Sequence, residues 1–312
     1  MKQYRGLLGP VAVVVLAVTA MLWSPFEPHQ PPVGASGPFD VRPTWLDEDW
    51  EVFTTKVEWA GEHRLDTLPI GEAMAELGRS FVGTAYVPRT LEVEGPERLV
   101  INFRGLDCVT FVENVFAITR FVRGGGVGRL GDRGRAEAAY ETLLREVRYR
   151  DARIAGYPSR LHYFSDWIRD NDRRGLVRDI SEPIGGVRDL EPIDFMTEHF
   201  EAYAQLSDPD NVAGVRRTEE LLSAAERHFV PAERIDDVAA EIHDGDIIAA
   251  TSTVAGLDVA HTGLALWIDG SLHLLHAPLV GEAVQISEVS LAERVARIDG
   301  QDGIMVARPL GS

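Results

Sequence analysis

The stretch AHTGLALWIDGSLHLLHAP, residues 260–278, leaves room for little besides a β-hairpin. Asp269-Gly270 stands between two apolar runs, and a two-residue turn of this kind needs residues that tolerate positive φ. With those two at the turn, Ile268 pairs with Ser271, Leu266 with His273, and Gly263 with His276. His261 then shares a face with His276 as its diagonal neighbour. His273 points the other way. A loop one residue longer would exchange the roles of His273 and His276.

The hairpin belongs to a wider change of pattern. Up to about residue 228 the apolar residues recur at helical spacing, predicting helices over 45–63, 69–83, 109–122, 135–147, 161–172, 195–204 and 215–228, with a short strand at 98–103. After His243 the runs GDIIAAT, AHTGLALWI, SLHLLHAP and AVQIS are short and separated by Gly, Asp and Pro, as in a meander sheet. A helix near 290–297 and a strand near 303–307 follow. Helices first and an antiparallel sheet afterwards predict an α+β fold.

At the N-terminus, Lys2 and Arg5 precede an apolar run that ends near Trp23. This reads as a signal peptide or membrane anchor over 1–23, followed by a Pro-rich linker over 24–46 and a single folded domain over 47–312. The chain is therefore expected to be exported, to the periplasm or cell envelope. The formal charge of −18 becomes about −20 without Lys2 and Arg5, a surface that repels nucleic acid. A composition 45% hydrophobic and 26% charged supports a packed core.

Cys108 is the one cysteine of the sequence, which excludes an internal disulfide and any multi-cysteine zinc site. Asp107 can cap the helix that follows, which sets Cys108 in its first turn. There the unpaired N–H groups and the positive dipole end favour a thiolate and could hold an oxyanion. Phe111, Val112, Val115 and Phe116 form the buried stripe behind it. Such a thiol is either a buried passenger or a nucleophile, and a nucleophile needs a base with an orienting partner.

The rival motifs fail on context. GVGRLG at 126–131 follows a helix rather than a strand, so it reads as a helix terminator and not a dinucleotide loop. No P-loop, H-E-x-x-H or G-x-S-x-G is present. Two histidines could begin a metal site, but only Asp258 stands near them at ligand spacing. A thiol with paired histidines favours a Cys–His–His hydrolase needing neither metal nor organic cofactor.

Four blocks in order, LDCVTFVEN (106–114), GYPSRLHYFSDWIRDN (156–171), GDIIAATSTVAGLDVAHTGLALW (245–267) and LHLLHAP (272–278), closely resemble the N-acetylmuramoyl-L-alanine amidase-like family of NlpC-type papain-like cell-wall hydrolases. The resemblance runs from about Leu77 to Pro309. It implies a papain-like core with N-terminal helices, a nucleophile helix packed on an antiparallel sheet, and extra helical insertions. It further implies Cys108 as nucleophile, His261 as general base and His276 as the residue that orients it. VGTAYVPRTLE (82–92) resembles the segment upstream of the nucleophile, so Tyr86 would polarise the substrate carbonyl. Ser159, Arg160 and His162 would line the substrate groove. Ala85 stands where a proline is expected, and Pro278 where the family often has serine.

The activity so implied is cleavage of the amide between N-acetylmuramic acid and L-Ala in small peptidoglycan fragments. The alternatives are a γ-D-glutamyl-diamino acid endopeptidase of the same fold, a non-catalytic muropeptide-binding module, and an acyl transferase on the same scaffold.

Overall fold

The computed structural model describes residues 43–279 and 282–311. The expected signal or anchor, 1–23, and the linker as far as residue 42 lie outside the described residues. Among the described residues no helix is long and apolar enough to cross a membrane.

Helices α1 (Asp47–Glu62) and α2 (Ile70–Arg79) lead to two short parallel strands, β1 (Ala85–Tyr86) and β2 (Gly105–Leu106), and then to α3 (Cys108–Arg123). Helices α4 (Arg133–Arg148) and α5 (Phe164–Arg173) follow, with strands β3 (Val177–Asp179) and β4 (Val187–Asp189). An inserted region carries α6 (Phe195–Glu198) and α7 (Pro209–Ala224). The rest comprises β5 (Arg227–Pro231), α8 (Ile235–Val238), β6 (Ile247–Ser252), β7 (Val259–Ile268), β8 (Ser271–His276), β9 (Gln285–Ile286), α9 (Leu291–Arg297) and β10 (Gln301–Pro309).

The main sheet is eight-stranded among the described residues, in the order β4-β5-β10-β6-β7-β8-β9, with β3 also paired to β10. Its ladders are antiparallel. The fold is mixed α and β: most helices come first and the central strands β6, β7 and β8 follow His243 as the pattern change predicts, while β3, β4 and β5 of the same sheet precede it.

Both faces of the sheet are covered, which explains why GDIIAAT is apolar throughout instead of alternating. Ile247, Ala249, Leu264, Leu266 and Leu275 pack with Phe111, Val115 and Phe116 of α3. On the other face Ile248, Ala265, Leu274 and Val306 pack with Leu291 and Val295 of α9. The insertion has its own small core of Tyr157, Tyr163, Phe195, Met196, Leu206, Val215 and Leu222.

Three expectations change. Residues 98–103 are buried at Leu99, Ile101 and Phe103 but form no ladder. Side chains satisfy the backbone instead: Phe103 N–H donates to Asp49 (2.9 Å), and the Arg98, Val100 and Asn102 carbonyls accept from Tyr149, Arg148 and Asn114. The helix expected over 215–228 runs earlier and ends at Ala224, because Arg227–Pro231 is drawn into the sheet between β4 and β10. The helix expected over 195–204 is one turn of α-helix followed by 3₁₀ turns.

Candidate active site

The nucleophile candidate owes its position to its neighbours. Asp107 has extended backbone (φ −93°, ψ −179°), and its carboxylate accepts the Thr110 N–H at 2.8 Å. Thr110 Oγ1 in turn accepts the Asp107 N–H at 2.9 Å. This reciprocal capping box starts α3 at Cys108. The helix is buried on nearly every side, so even Glu113 and Asn114 find internal partners: Glu113 pairs with Arg148 at 2.7 Å, and Asn114 accepts from the Tyr140 hydroxyl at 2.5 Å.

Cys108 is 8% exposed. Burial, followed by the Asp107 charge, pushes its thiol up to about 11. The Thr262 hydroxyl and the N–H groups of Thr262 and Val109 pull the other way. Burial and the Asp107 charge thus favour the thiol, against the thiolate that a place in the first turn of a helix would favour.

The hairpin register is the one the turn predicts. Asp269 (φ 49°) and Gly270 (φ 80°) both adopt the left-handed conformation, and Ile268 pairs with Ser271. Leu266 pairs with His273, whose Nδ1 lies 2.9 Å from the Ser287 carbonyl oxygen, away from the other two histidines. His261 Nε2 and His276 Nδ1 lie 2.7 Å apart with their rings nearly perpendicular. A β-bulge in the β6–β7 pairing falls between Ala250↔His261 and Thr251↔Val259, so β7 bends just before His261. Thr262, the next residue, adjoins the Cys108 sulfur.

Both imidazoles are held neutral. Burial first, then His276 and Arg294, lowers His261 well below the usual histidine range. Burial and Arg294 bring His276 down to about 3. With His261 protonated on Nε2, its Nδ1 is free to accept a proton, and His276 then carries its own proton on Nε2. Among the described residues that Nε2 is buried without a hydrogen-bond partner.

Tyr86 reaches the thiol through backbone pairing. Its strand runs parallel to β2, which ends two residues before Cys108, with Tyr86 opposite Leu106. On its other side the segment bonds to the chain beyond β8: Gly83 N–H to Val284 O at 2.9 Å, Val284 N–H to Thr84 O at 2.8 Å, and Tyr86 N–H to Glu282 O at 2.7 Å. Burial raises the Tyr86 phenol, and the charges of Cys108 and Asp107 raise it further, so it stays a proton donor.

The three groove candidates are engaged within the protein. Ser159 Oγ accepts the Ala155 N–H and donates to the Gly156 carbonyl. Arg160 is 4% exposed, pairs with Glu92 at 2.5 Å and Glu97 at 3.5 Å, and lies over the Tyr157 ring. His162 Nε2 meets the Tyr157 carbonyl oxygen at 2.8 Å. Burial and the Arg160 charge hold its pKa well below the usual range. Asp258 is likewise occupied, accepting the Ser165 and Val259 N–H groups at 2.7 Å each. Among the described residues no group of three His, Cys, Asp or Glu side chains is arranged to hold a metal ion.

Two neighbours escaped the sequence reading. Thr262 was hidden by its place inside a strand. Arg294 follows Leu291 by three residues and precedes Val295, the two α9 residues that pack on the sheet. That spacing was the available signal that its side chain flanks the packed face.

Known proteins resemble this chain over most of its length. An N-acetylmuramoyl-L-alanine amidase of Bacteroides uniformis is 36% identical, with 78% of this chain and 99% of that one covered at a TM-score of 0.71. A Bacteroides fragilis protein provisionally described as a xylanase is 37% identical over 74% of this chain and 98% of its own, with a TM-score of 0.66. A Legionella pneumophila protein at 19% identity shares the fold, covering 84% of this chain and 95% of that one at a TM-score of 0.61. None of the curated proteins compared matches the chain. The sequence pattern of the AmiA-like, N-acetylmuramoyl-L-alanine amidase-like family matches residues 76–304, and the chain belongs to that family.

Proposed function

We propose that this protein is an exported cysteine amidase that hydrolyses the bond between the lactyl group of N-acetylmuramic acid and L-Ala in peptidoglycan fragments. The observation that carries the reading is the 2.7 Å contact between His261 and His276, with the residue after His261 against the Cys108 sulfur. Membership of an amidase-like family, and a relative named for this bond, favour muramoyl-L-alanine over the other amides of peptidoglycan. On this reading residues 47–312 are one papain-like domain, preceded by the linker 24–46 and the signal or anchor 1–23.

The chemistry follows from the protonation states. Cys108 Sγ attacks the lactyl carbonyl carbon as its proton passes to His261 Nδ1, so the thiolate exists only as the bond forms. The carbonyl oxygen becomes an oxyanion held by the Cys108 N–H and the Tyr86 hydroxyl. Collapse returns the oxyanion to a carbonyl, His261 gives its proton to the departing amine, and the peptide leaves a thioester. Water then adds with its proton taken by His261, and the muramoyl acid is released with Cys108 again a thiol. His276 keeps the His261 ring in the productive tautomer.

Ser159, Arg160 and His162 serve the groove from behind in this reading, since Arg160 fixes Glu92 in the segment that follows Tyr86. The test is digestion of defined muropeptides by wild type and Cys108→Ser, with products weighed by mass spectrometry. Free tripeptide or tetrapeptide from wild type alone supports the amidase. L-Ala-D-Glu left on the sugar would assign the γ-D-glutamyl bond instead. Undiminished activity in Cys108→Ser would end the cysteine mechanism.

A further inference from the structure

At the end of α3 opposite Cys108 the surface opens into a cavity of about 380 Å³ with three arginines in its walls, Arg120, Arg123 and Arg129. Among the described residues no Asp or Glu lines it, although acidic residues outnumber basic ones by 49 to 31 in the sequence. Arg120 follows Cys108 along one helix, and at 1.5 Å per residue the two stand about 18 Å apart. The cavity is therefore separate from the thiol.

The glycine-rich turn after α3 builds it. Gly125 takes a positive φ of 76°, and a Cβ on Gly126 would stand 2.2 Å from the Phe121 ring. The chain folds back tightly over Phe121, and Arg129 returns to the helix end, where its Nη2 donates to the Gly124 carbonyl at 3.2 Å. Arg123 donates from Nη1 to the Leu68 carbonyl, and Arg120 pairs with Glu146 at 2.9 Å. Carbonyls fix a guanidinium but do not neutralise it. Among the described residues only Arg120 of the three has a carboxylate partner, so two positive charges stand uncompensated. The helix dipole favours cations here, but it supplies about half a negative charge, and Arg129 is not on the helix.

We propose that this cavity binds a phosphate monoester, its phosphoryl group on Arg123 and Arg129 and its organic part against the half-buried Ile70 and Leu143. A monoester carries up to about two negative charges and three acceptor oxygens, which suits two guanidinium forks better than one carboxylate does. Sites for small organic ligands begin near about 300 Å³, and inorganic phosphate alone would leave most of this cavity to water. Entry is open, since Gly124 and Arg129 are exposed. Guanidiniums already tied to carbonyls lose little freedom when the anion arrives.

The experiment titrates the full chain calorimetrically with phenyl phosphate, inorganic phosphate and benzoate at about pH 8, where the monoester has lost its second proton. Phenyl phosphate should bind at one site, at least about tenfold tighter than either of the others. Arg123→Gln and Arg129→Gln should each weaken it at least about tenfold, the scale of a hydrogen bond to a charged group. Arg123 also ties α3 to the Leu68 carbonyl, whereas Arg129 lies on an exposed turn, so Arg129→Gln tests the charge in a protein that still folds. Thermal unfolding without ligand checks that fold.

No saturable binding of phenyl phosphate at millimolar concentration would overturn the proposal, and so would unchanged affinity in Arg129→Gln. Benzoate binding as tightly would refute the phosphoryl ligand, and inorganic phosphate binding as tightly would refute the organic part. None of these outcomes depends on which bond Cys108 attacks.

Discussion

Gly263 lies beneath His276 so closely that a Cβ on it would stand 3.0 Å from His276 Cβ and 2.7 Å from the Leu275 carbonyl oxygen. The absence of a side chain there lets the His276 ring lean across to His261. Gly263→Ala must push the β8 backbone or the His276 side chain away. It should destabilise by about 1–3 kcal/mol, as overpacking does, and lower kcat/KM at least about a hundredfold through the lost histidine contact. Thermal unfolding and muropeptide kinetics would check both. An active, fully stable variant would contradict the role given to this contact.

The thiol offers a direct spectroscopic test. Burial raises Cys108 to about 11, so thiolate absorbance near 240 nm should be missing at pH 7 and grow in well above pH 9. Asp107→Asn removes a charge that raises this value and keeps an acceptor for the Thr110 N–H. It should move the midpoint downward. A wild-type midpoint below pH 7 would mean a resting ion pair and a different first step.

Acid stability should report the buried imidazoles. Unfolded histidine binds a proton near pH 6.5, whereas folded His276 does so only near 3, and His261 is also depressed. The unfolded state therefore takes up more protons between these values, and stability falls as pH drops through that window. The slope is at most about 1.4 kcal/mol per pH unit for each imidazole. Denaturant midpoints from pH 7 to pH 4 should fall less steeply in His276→Asn than in wild type.

Arg160→Gln leaves Glu97 buried and Glu92 mostly buried without their cation. Breaking such a buried pair from one side should cost about 3 kcal/mol in urea denaturation. Arg160→Lys should recover only part, because an ammonium cannot match the planar fork held between two carboxylates and a ring. A variant with wild-type stability would show that these charges are better solvated than their burial implies.

The parts of the site legible in the sequence were those set by local chemistry. Asp107 before Cys108 announces a helix start, and Asp269-Gly270 fixes a register that brings His261 and His276 together and sends His273 away. What stayed hidden depends on distant partners. Residues 98–103 look like a strand, yet Asp49, Arg148 and Tyr149, far away in the chain, take the bonds a ladder would have made. Arg160 looks like a surface ligand for anions until Glu92 and Glu97 fold onto it. β5 is a strand only because β4 and β10 offer it edges.

The short strand carrying Tyr86 acts as a cross-brace. One side is sewn to the lead-in of the cysteine helix and the other to the chain leaving the histidine hairpin, in both cases through peptide groups. Helix and sheet therefore cannot slide past one another without unzipping main-chain bonds. The spacing of thiol, phenol and imidazoles is a property of the backbone, and substitutions of surface side chains elsewhere in the protein should leave it intact.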